Sequence, residues 1–218
     1  HLMFLVSSSP DTEWFLNGGR AALFDINETL SSVGLNVNSF KSILDFGCGS
    51  GRVIRHLKPG SQTLLSGTDY NPALINWCNN NLSHATFAIN GLEPPTGYKS
   101  GSFDFIYAFS ILTHWTEELQ LAWINELARI LSPGGVMLFT THGRDTAEKG
   151  LSEDQLRRFN NGEFVVLNSE INGANDCAAF HPESYVRKVF SSSFEILKFI
   201  ESGSKGTPGQ DLYLIKKL

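Results

Sequence analysis

The chain has 218 residues, 41% hydrophobic and 18% charged, the balance of one globular domain with a sizeable core. No apolar run approaches the ~20 residues that span a bilayer, so no membrane insertion is expected. The formal net charge of -5, with basic residues scattered along the chain, speaks against nucleic acid as a partner, because phosphate binding draws on a basic surface.

Ser9-Pro10-Asp11 reads as an N-cap, a first helical position and an acidic first turn. A helix through Trp14, Phe15 and Leu16 is predicted, loosened at Gly18-Gly19, then a second helical stretch with Leu23, Ile26, Leu30 and Val33 on one face. From there strands and helices alternate. Residues 42–46 read as a strand, 51–57 as a helix, 64–69 as a strand, 72–81 as a helix opened by Asn71-Pro72, and 85–89 as a strand. Residues 90–101, with Pro94-Pro95 and three glycines, read as irregular. Residues 103–109 are almost wholly apolar, as in a central parallel strand. Thr116-Glu117-Glu118 opens a helix with Leu119, Trp123, Leu127 and Ile130 on its apolar face, ending at Ser132-Pro133-Gly134-Gly135; residues 136–141 follow as a strand. Residues 143–193 exceed what a crossover needs and hold a capping box from Ser152 to Gln155, an extended run at 163–168 and His181-Pro182. Residues 194–200 and 211–216, joined by a short polar loop with no helix, predict an antiparallel hairpin. The predicted class is α/β: a Rossmann-like, seven-stranded, mostly parallel sheet with a C-terminal antiparallel β-hairpin and N-terminal helices, in one domain.

Cys48, Cys78 and Cys177 are odd in number and far apart, with no C-x-x-C, so neither a metal site nor a disulfide framework is expected. No signal-peptide pattern opens the chain, and a reducing, cytoplasmic compartment is expected. His1-Leu2-Met3 reads either as an appended remnant or as the interior of a longer chain.

The densest chemistry lies in Leu44-Asp45-Phe46-Gly47-Cys48-Gly49-Ser50-Gly51-Arg52. A strand runs into alternate glycines and then an amphipathic run, the first turn of a nucleotide-binding sheet. The spacing is G-x-G-x-G, not the G-x-G-x-x-G of the nicotinamide fingerprint. Twenty residues past Gly49, Asp69 ends the second strand, where a carboxylate can accept from both hydroxyls of a ribose. With Asp45 two residues before Gly47, the loop resembles motif I of class I S-adenosylmethionine (SAM)-dependent methyltransferases. Gly67 to Pro72, Ser102-Phe103-Asp104-Phe105-Ile106-Tyr107-Ala108-Phe109-Ser110 and Glu126-Leu127-Ala128-Arg129-Ile130-Leu131-Ser132-Pro133-Gly134-Gly135 extend the resemblance from Ser42 to the C-terminus.

The resemblance implies SAM as cofactor, with S-adenosylhomocysteine as product. Asp45, Gly47, Cys48 and Gly49 would line its methionine half, Asp69 would hold the ribose, and Tyr70 would flank the adenine. Asn90 would meet the adenine amino group through its carbonyl oxygen and Gly91 would add a backbone contact. Phe109 and Ser110 would face the methyl group. It also implies a division into a helical cap (1–40), a SAM-binding core (41–142), an acceptor-side insertion (143–193) and the terminal hairpin (194–218). Simpler readings exist: Asp45 as a helix-dipole partner, Tyr70 as cover for a helix end, Asn90 as a turn residue, and the cap and insertion as covers for sheet edges. Asp104, at the far end of its strand, reads as structural.

The implied activity is methyl transfer to oxygen or nitrogen of a small molecule or glycan. The glycan follows from a similarity of Gly209 to Leu214 and the turns at His114 and His142 to bacterial methyltransferases found with glycan-building enzymes. An amine acceptor needs only to be neutral, whereas a hydroxyl benefits from a general base. His114 and His142 follow C-terminal strand ends and are the candidate bases; Trp115 would wall the acceptor pocket. A SAM-binding regulatory protein would carry the same motifs, and turnover separates it. An NAD-dependent oxidoreductase is disfavoured by the glycine spacing and the hairpin.

Overall fold

The computed structural model describes residues 2–7, 10–174 and 176–218. Strands β1 (Ser42–Phe46), β2 (Leu64–Asp69), β3 (Thr86–Ile89), β4 (Phe103–Ala108) and β5 (Leu131–His142) run parallel in the spatial order β3-β2-β1-β4-β5. Two short strands, β6 (Val165–Leu167) and β7 (Ala178–Phe180), pair with each other, and β7 joins the tip of β5 where His142 meets Phe180. β8 (Phe194–Ile200) and β9 (Gln210–Lys217) form the antiparallel hairpin, with β9 laid along β5 from Val136–Lys216 to His142–Gln210. The seven-stranded, mostly parallel sheet with its terminal hairpin is as expected; β6 and β7 are additions from the long insertion.

Successive side chains of the central strands bury on opposite faces. Leu44, Phe46 and Ile106 join Trp123, Leu127 and Phe190 on one side, while Ile43, Phe105 and Tyr107 join Ile26, Leu30 and Leu138 on the other. Each fully buried Leu, Ile or Phe contributes roughly 1.5–3 kcal/mol, so both layers are needed to hold the sheet. The helices are α1 (Leu2–Ser7), α2 (Thr12–Ser31), α3 (Pro72–Asn81), α4 (Glu117–Ile130), α5 (Arg144–Gly150), α6 (Glu153–Asn160) and α7 (Glu183–Phe190). Among the described residues none is long and apolar enough to cross a membrane.

Three local expectations change. The N-cap expected at Ser9 lies outside the described residues; Asp11 caps α2, accepting from the Glu13 and Trp14 amides at 2.8 and 3.2 Å. Gly18-Gly19 does not loosen the helix. α2 runs through it because a Cβ at Gly19 would collide with the Arg52 carbonyl: these glycines allow close packing. The helix expected over 51–57 is one 3-10 turn, Ile54–His56. The Gly51 carbonyl accepts the Arg55 amide (3.3 Å) as in a helix and also Arg55 Nε (2.8 Å), but the next amides, of His56 and Leu57, tighten onto Val53 and Ile54 (3.0 and 3.1 Å), and Pro59-Gly60 follows at once. Asp104 is structural, as read: it holds the start of β1 by accepting from the Lys41 and Ser42 amides at 2.8 and 2.9 Å.

Candidate active site

β1 pairs with β2 on one side and β4 on the other, so the loops after β1 and β4 diverge and leave a crevice at the C-terminal edge. A cavity of about 330 Å³ fills it. Gly47 and Gly49 turn the loop with φ of +73° and +55°, a region that costs residues with a Cβ. A Cβ at Gly47 would also strike Ile111, which enters from the turn after β4. The Gly47 and Cys48 amides both donate to the Thr68 carbonyl, at 2.8 and 2.9 Å, which fixes the loop against β2.

Asp69 stands where β2 ends. One oxygen accepts from the Gly49 amide at 2.9 Å and the other from the Asn71 amide at 2.8 Å. Burial pushes its carboxyl up, and those two bonds oppose the rise. Each oxygen keeps a lone pair for a ligand hydroxyl. Asp45 is buried behind the loop. Burial pushes its carboxyl up to about 7, against the pull of the Tyr107 hydroxyl and the Arg52 charge. Tyr107 faces it without a geometry that satisfies it, so Oδ2 of Asp45 has no hydrogen-bond partner among the described residues. Cys48 lines the cavity with a thiol that its neighbour Cys78 and burial push upward, which makes it a wall, not a nucleophile.

Tyr70 is half exposed and reaches the Gly173 carbonyl at 3.3 Å. Asn90 takes the Thr68 hydroxyl on its carbonyl oxygen (2.8 Å) and gives its amide to the Gly91 carbonyl (2.6 Å), so a base contact would use the second lone pair of Oδ1. At the other end Ser110 holds φ +59°, the left-handed region. Its amide donates to Thr140 Oγ1 (2.8 Å), Thr140 donates to Gln210 Oε1 (2.7 Å), and Gln210 Nε2 returns to Ser110 Oγ (2.8 Å). That closed ring ties the tip of β4 to β5 and β9.

His114 lies in the 3-10 turn Leu112–His114 and lines the cavity. Its Nδ1 is 2.9 Å from the Cys177 carbonyl, and a carbonyl can only accept, so Nδ1 carries the proton and Nε2 is the basic nitrogen. Burial lowers the ring's pKa, against the Cys177 bond and Asp176. The roof comes from two sides. Leu5 and Val6 of α1 close over the glycine loop, whereas Trp14 is exposed and Phe15 is buried away from the cavity. Gly173 and Ala174 close the other side, strapped down by reciprocal bonds of Asn172 with Thr116 (3.0 Å each) and by the Gly173 amide on the His114 carbonyl (2.8 Å).

The cavity thus gathers Asp45, Gly47, Cys48, Gly49, Asp69, Tyr70, Asn90, Gly91, Phe109, Ser110 and His114. It does not gather His142, which sits beside Phe180 with burial and His114 lowering its pKa to about 4. Sequence reading missed Arg52, Leu5, Val6, the Gly173 roof and Gln210. Arg52 stands in the motif itself; nothing local marks Gln210, which meets Ser110 only because β9 lies along β5.

A family model of the methyltransferase domain matches residues 20–188. A probable tRNA methyltransferase 9B of Mus musculus is 32% identical over 97 residues, 44% of this chain and 20% of that protein. The tRNA (carboxymethyluridine(34)-5-O)-methyltransferase alkbh8 of Xenopus tropicalis is 30% identical over 97 residues, 44% of this chain and 14% of its own length. The chain therefore spans about a fifth or less of these curated relatives. Among solved structures, a SAM-dependent methyltransferase of Methanosarcina mazei shares the fold with a TM-score of 0.61 at 21% identity, covering 81% of this chain and 92% of that one. The expectation that excluded nucleic acid is corrected by these relatives, which are named for methylating tRNA. Net charge averages a whole surface and does not report which molecule enters one crevice. With the family model spanning most of its length, the chain belongs to the methyltransferase-domain family, of the class I SAM-dependent type.

Proposed function

We propose that the chain binds SAM in this cavity and directs its methyl group to an oxygen or nitrogen nucleophile, with a tRNA nucleoside as the acceptor that the curated relatives point to. The observation that carries the cofactor part is the unpartnered, buried Oδ2 of Asp45 beside the glycine loop. An acceptor atom buried without a donor is costly, and a ligand ammonium would satisfy it. The remaining donor set fits the rest of SAM: Asp69 for the ribose hydroxyls, Tyr70 and Asn90 with Gly91 for the adenine, Phe109 and Ser110 toward the methyl end.

Bound SAM supplies a methyl group made electrophilic by its sulfonium. The chain's part is to align the acceptor, keep water out and manage one proton. The Ser110 ring fixes the tip of β4 on which alignment depends. Leu5, Val6, Gly173 and Ala174 cover the crevice, and the segment 143–193 supplies the acceptor-side part of that cover. If the acceptor is a hydroxyl, Nε2 of His114 takes its proton as the new bond to carbon forms; burial keeps that ring neutral and ready to accept. His142, outside the lining, has no place in this scheme. Three free, buried cysteines fit a reducing compartment such as the cytoplasm.

The test has two arms. Calorimetry with S-adenosylhomocysteine should give binding, and NAD should give none. Tritium from methyl-labelled SAM should pass into bulk tRNA. Binding without labelled tRNA would keep the cofactor and reject the tRNA acceptor; no binding of S-adenosylhomocysteine would remove both.

A further inference from the structure

His181-Pro182 stands out in the sequence, and the site described above leaves it unused. His181 follows β7 near the end of the insertion and is 1% exposed, so its ring needs partners inside the protein. Its amide donates to the His142 carbonyl at 2.8 Å, which fixes it to the tip of β5. Phe164 meets the ring edge to face with centroids 5.2 Å apart, and Tyr185 flanks it at 6.4 Å. Nε2 of the ring lies 3.0 Å from Oε1 of Gln120, in α4, a side chain that is equally buried. What lies on the other side of Gln120 orients its amide group. Gln120 Nε2 faces the carbonyls of Leu112 (3.3 Å) and Trp115 (3.1 Å), and carbonyls can only accept. Oε1 is therefore left as the acceptor, and Nε2 of His181 must donate to it. Burial lowers the His181 pKa to about 3, so the ring is neutral and has one proton to place. The Ala179 and His142 carbonyls also stand near the ring, but Nδ1 has no partner in hydrogen-bond geometry among the described residues.

The Leu112 and Trp115 carbonyls bracket His114. From His181 through Gln120, a buried chain thus holds from beneath the same turn that the Gly173 amide and the Cys177 carbonyl hold from above. We propose that His181 is a positioning residue for methyl transfer: by donating to Gln120 it fixes the turn that carries His114 and the Trp115 wall to the acceptor side of the cavity. This rests on the SAM reading above, with His114 as the proton acceptor. Without that donor Gln120 would keep a buried, unsatisfied oxygen, and its amide would gain by turning over, which releases the two carbonyls. A small displacement is enough, since misplacing a reacting group by about 1 Å can cost about 10²-fold in rate. The requirement is narrow: one N–H at the place of Nε2, which a glutamine side chain can also supply and a leucine cannot.

Nitrogen NMR of the histidine rings at pH 8 reads the tautomers directly. In the unaltered protein His181 should carry its proton on Nε2 and His114 on Nδ1. His181→Leu should move His114 toward a mixture of tautomers, whereas His181→Gln should leave His114 as it was. With labelled SAM and bulk tRNA, His181→Leu should lower kcat about tenfold to a hundredfold, with little change in KM for tRNA or in S-adenosylhomocysteine affinity, and His181→Gln should recover most of that loss. A proton on Nδ1 of His181 in the unaltered protein overturns the proposal whether or not any variant folds. So does a His181→Leu variant, shown folded by a thermal melt, in which the His114 tautomer or kcat is unchanged. If the unaltered protein does not bind S-adenosylhomocysteine, the SAM reading falls and this proposal with it. If it binds but labels no tRNA, only that acceptor is lost, and the tautomers still decide.

Discussion

At the scale of single residues, the side chains proposed to hold the cofactor would do two jobs at once. Asp69 holds the Gly49 and Asn71 amides and would also accept the ribose hydroxyls. Asp69→Ala should therefore weaken S-adenosylhomocysteine binding at least about tenfold and lower stability by about 1–3 kcal/mol, readable by calorimetry and a urea melt. An unchanged Kd would mean that the carboxylate does not touch the ribose. Asp45 gives a sharper signature. With its carboxyl near 7 in the free protein, it is half protonated around neutrality, and only the carboxylate pairs with an ammonium. Binding of S-adenosylhomocysteine should weaken about tenfold from pH 8 to pH 6, and Asp45→Asn should flatten that slope. For His114, a hydroxyl acceptor predicts that His114→Ala lowers kcat by about 10²–10⁴ while leaving S-adenosylhomocysteine binding alone. Because burial lowers this histidine's pKa, the rate should hold steady down to pH values below its ordinary value of about 6.5. A variant with unaltered kcat at saturating acceptor would end the base assignment. That these residues line one cavity was legible because most of them stand within a few positions of a strand end. The same logic failed at His142: being at a strand tip does not say which way a ring turns, and β7 covers that one.

At the scale of elements, glycine was read as punctuation and here acts as clearance. Gly18-Gly19 looked like a weak point in a helix, but the partner that needs the space, the Arg52 backbone, is over thirty positions away and invisible to periodicity. Gly19→Ala should therefore be severely destabilising, although alanine is the better helix former; a melting temperature at or above that of the unaltered protein would refute the packing argument. Asp25 tests the neighbouring joint. It is buried in α2 and accepts three donors from the hairpin loop. Asp25→Ala should lower stability by about 2–3 kcal/mol. Arg52, which lines the cavity, donates from Nη1 to the Gly206 carbonyl of that loop at 3.0 Å, so the same change should slacken Arg52 and weaken S-adenosylhomocysteine binding several-fold, whereas a stability loss with unchanged binding would separate the joint from the site. The short 3-10 turn after the glycine loop was misread because an apolar pattern over so short a run does not separate one tight turn from an α-helix, and Pro59-Gly60 leaves no room for a second turn.

At the scale of the whole molecule, alternation of strands and helices with a terminal hairpin was enough to fix the sheet, since parallel crossovers leave few other topologies. What connects distant parts stayed hidden, and it includes the buried titratable groups. These set a pH dependence with two opposed limbs. Burial pushes Asp211 up to about 6, against about 3.9 unfolded. The folded state binds the extra proton between those values, so its contribution is complete below about pH 4 and lost as pH rises through 6. Burial lowers His142 to about 4 and His181 to about 3, against about 6.5 unfolded. There the unfolded state binds more protons, so stability is intact above about 6.5 and lost as pH falls below it. Over pH 4 to 6 the two histidines outweigh the one aspartate, so unfolding free energy should rise with pH up to about 6.5 and level off above it. Asp211→Asn should raise stability at pH 8 by up to about 3 kcal/mol and change little at pH 4, and His142→Gln should flatten the acid limb instead. Urea denaturation at pH 4.5, 6 and 8 would decide: between pH 4.5 and 6 stability should climb more steeply in Asp211→Asn than in the unaltered protein, by about 1.4 kcal/mol per pH unit, and equal slopes would show that Asp211 is already ionised in the fold at pH 4.5.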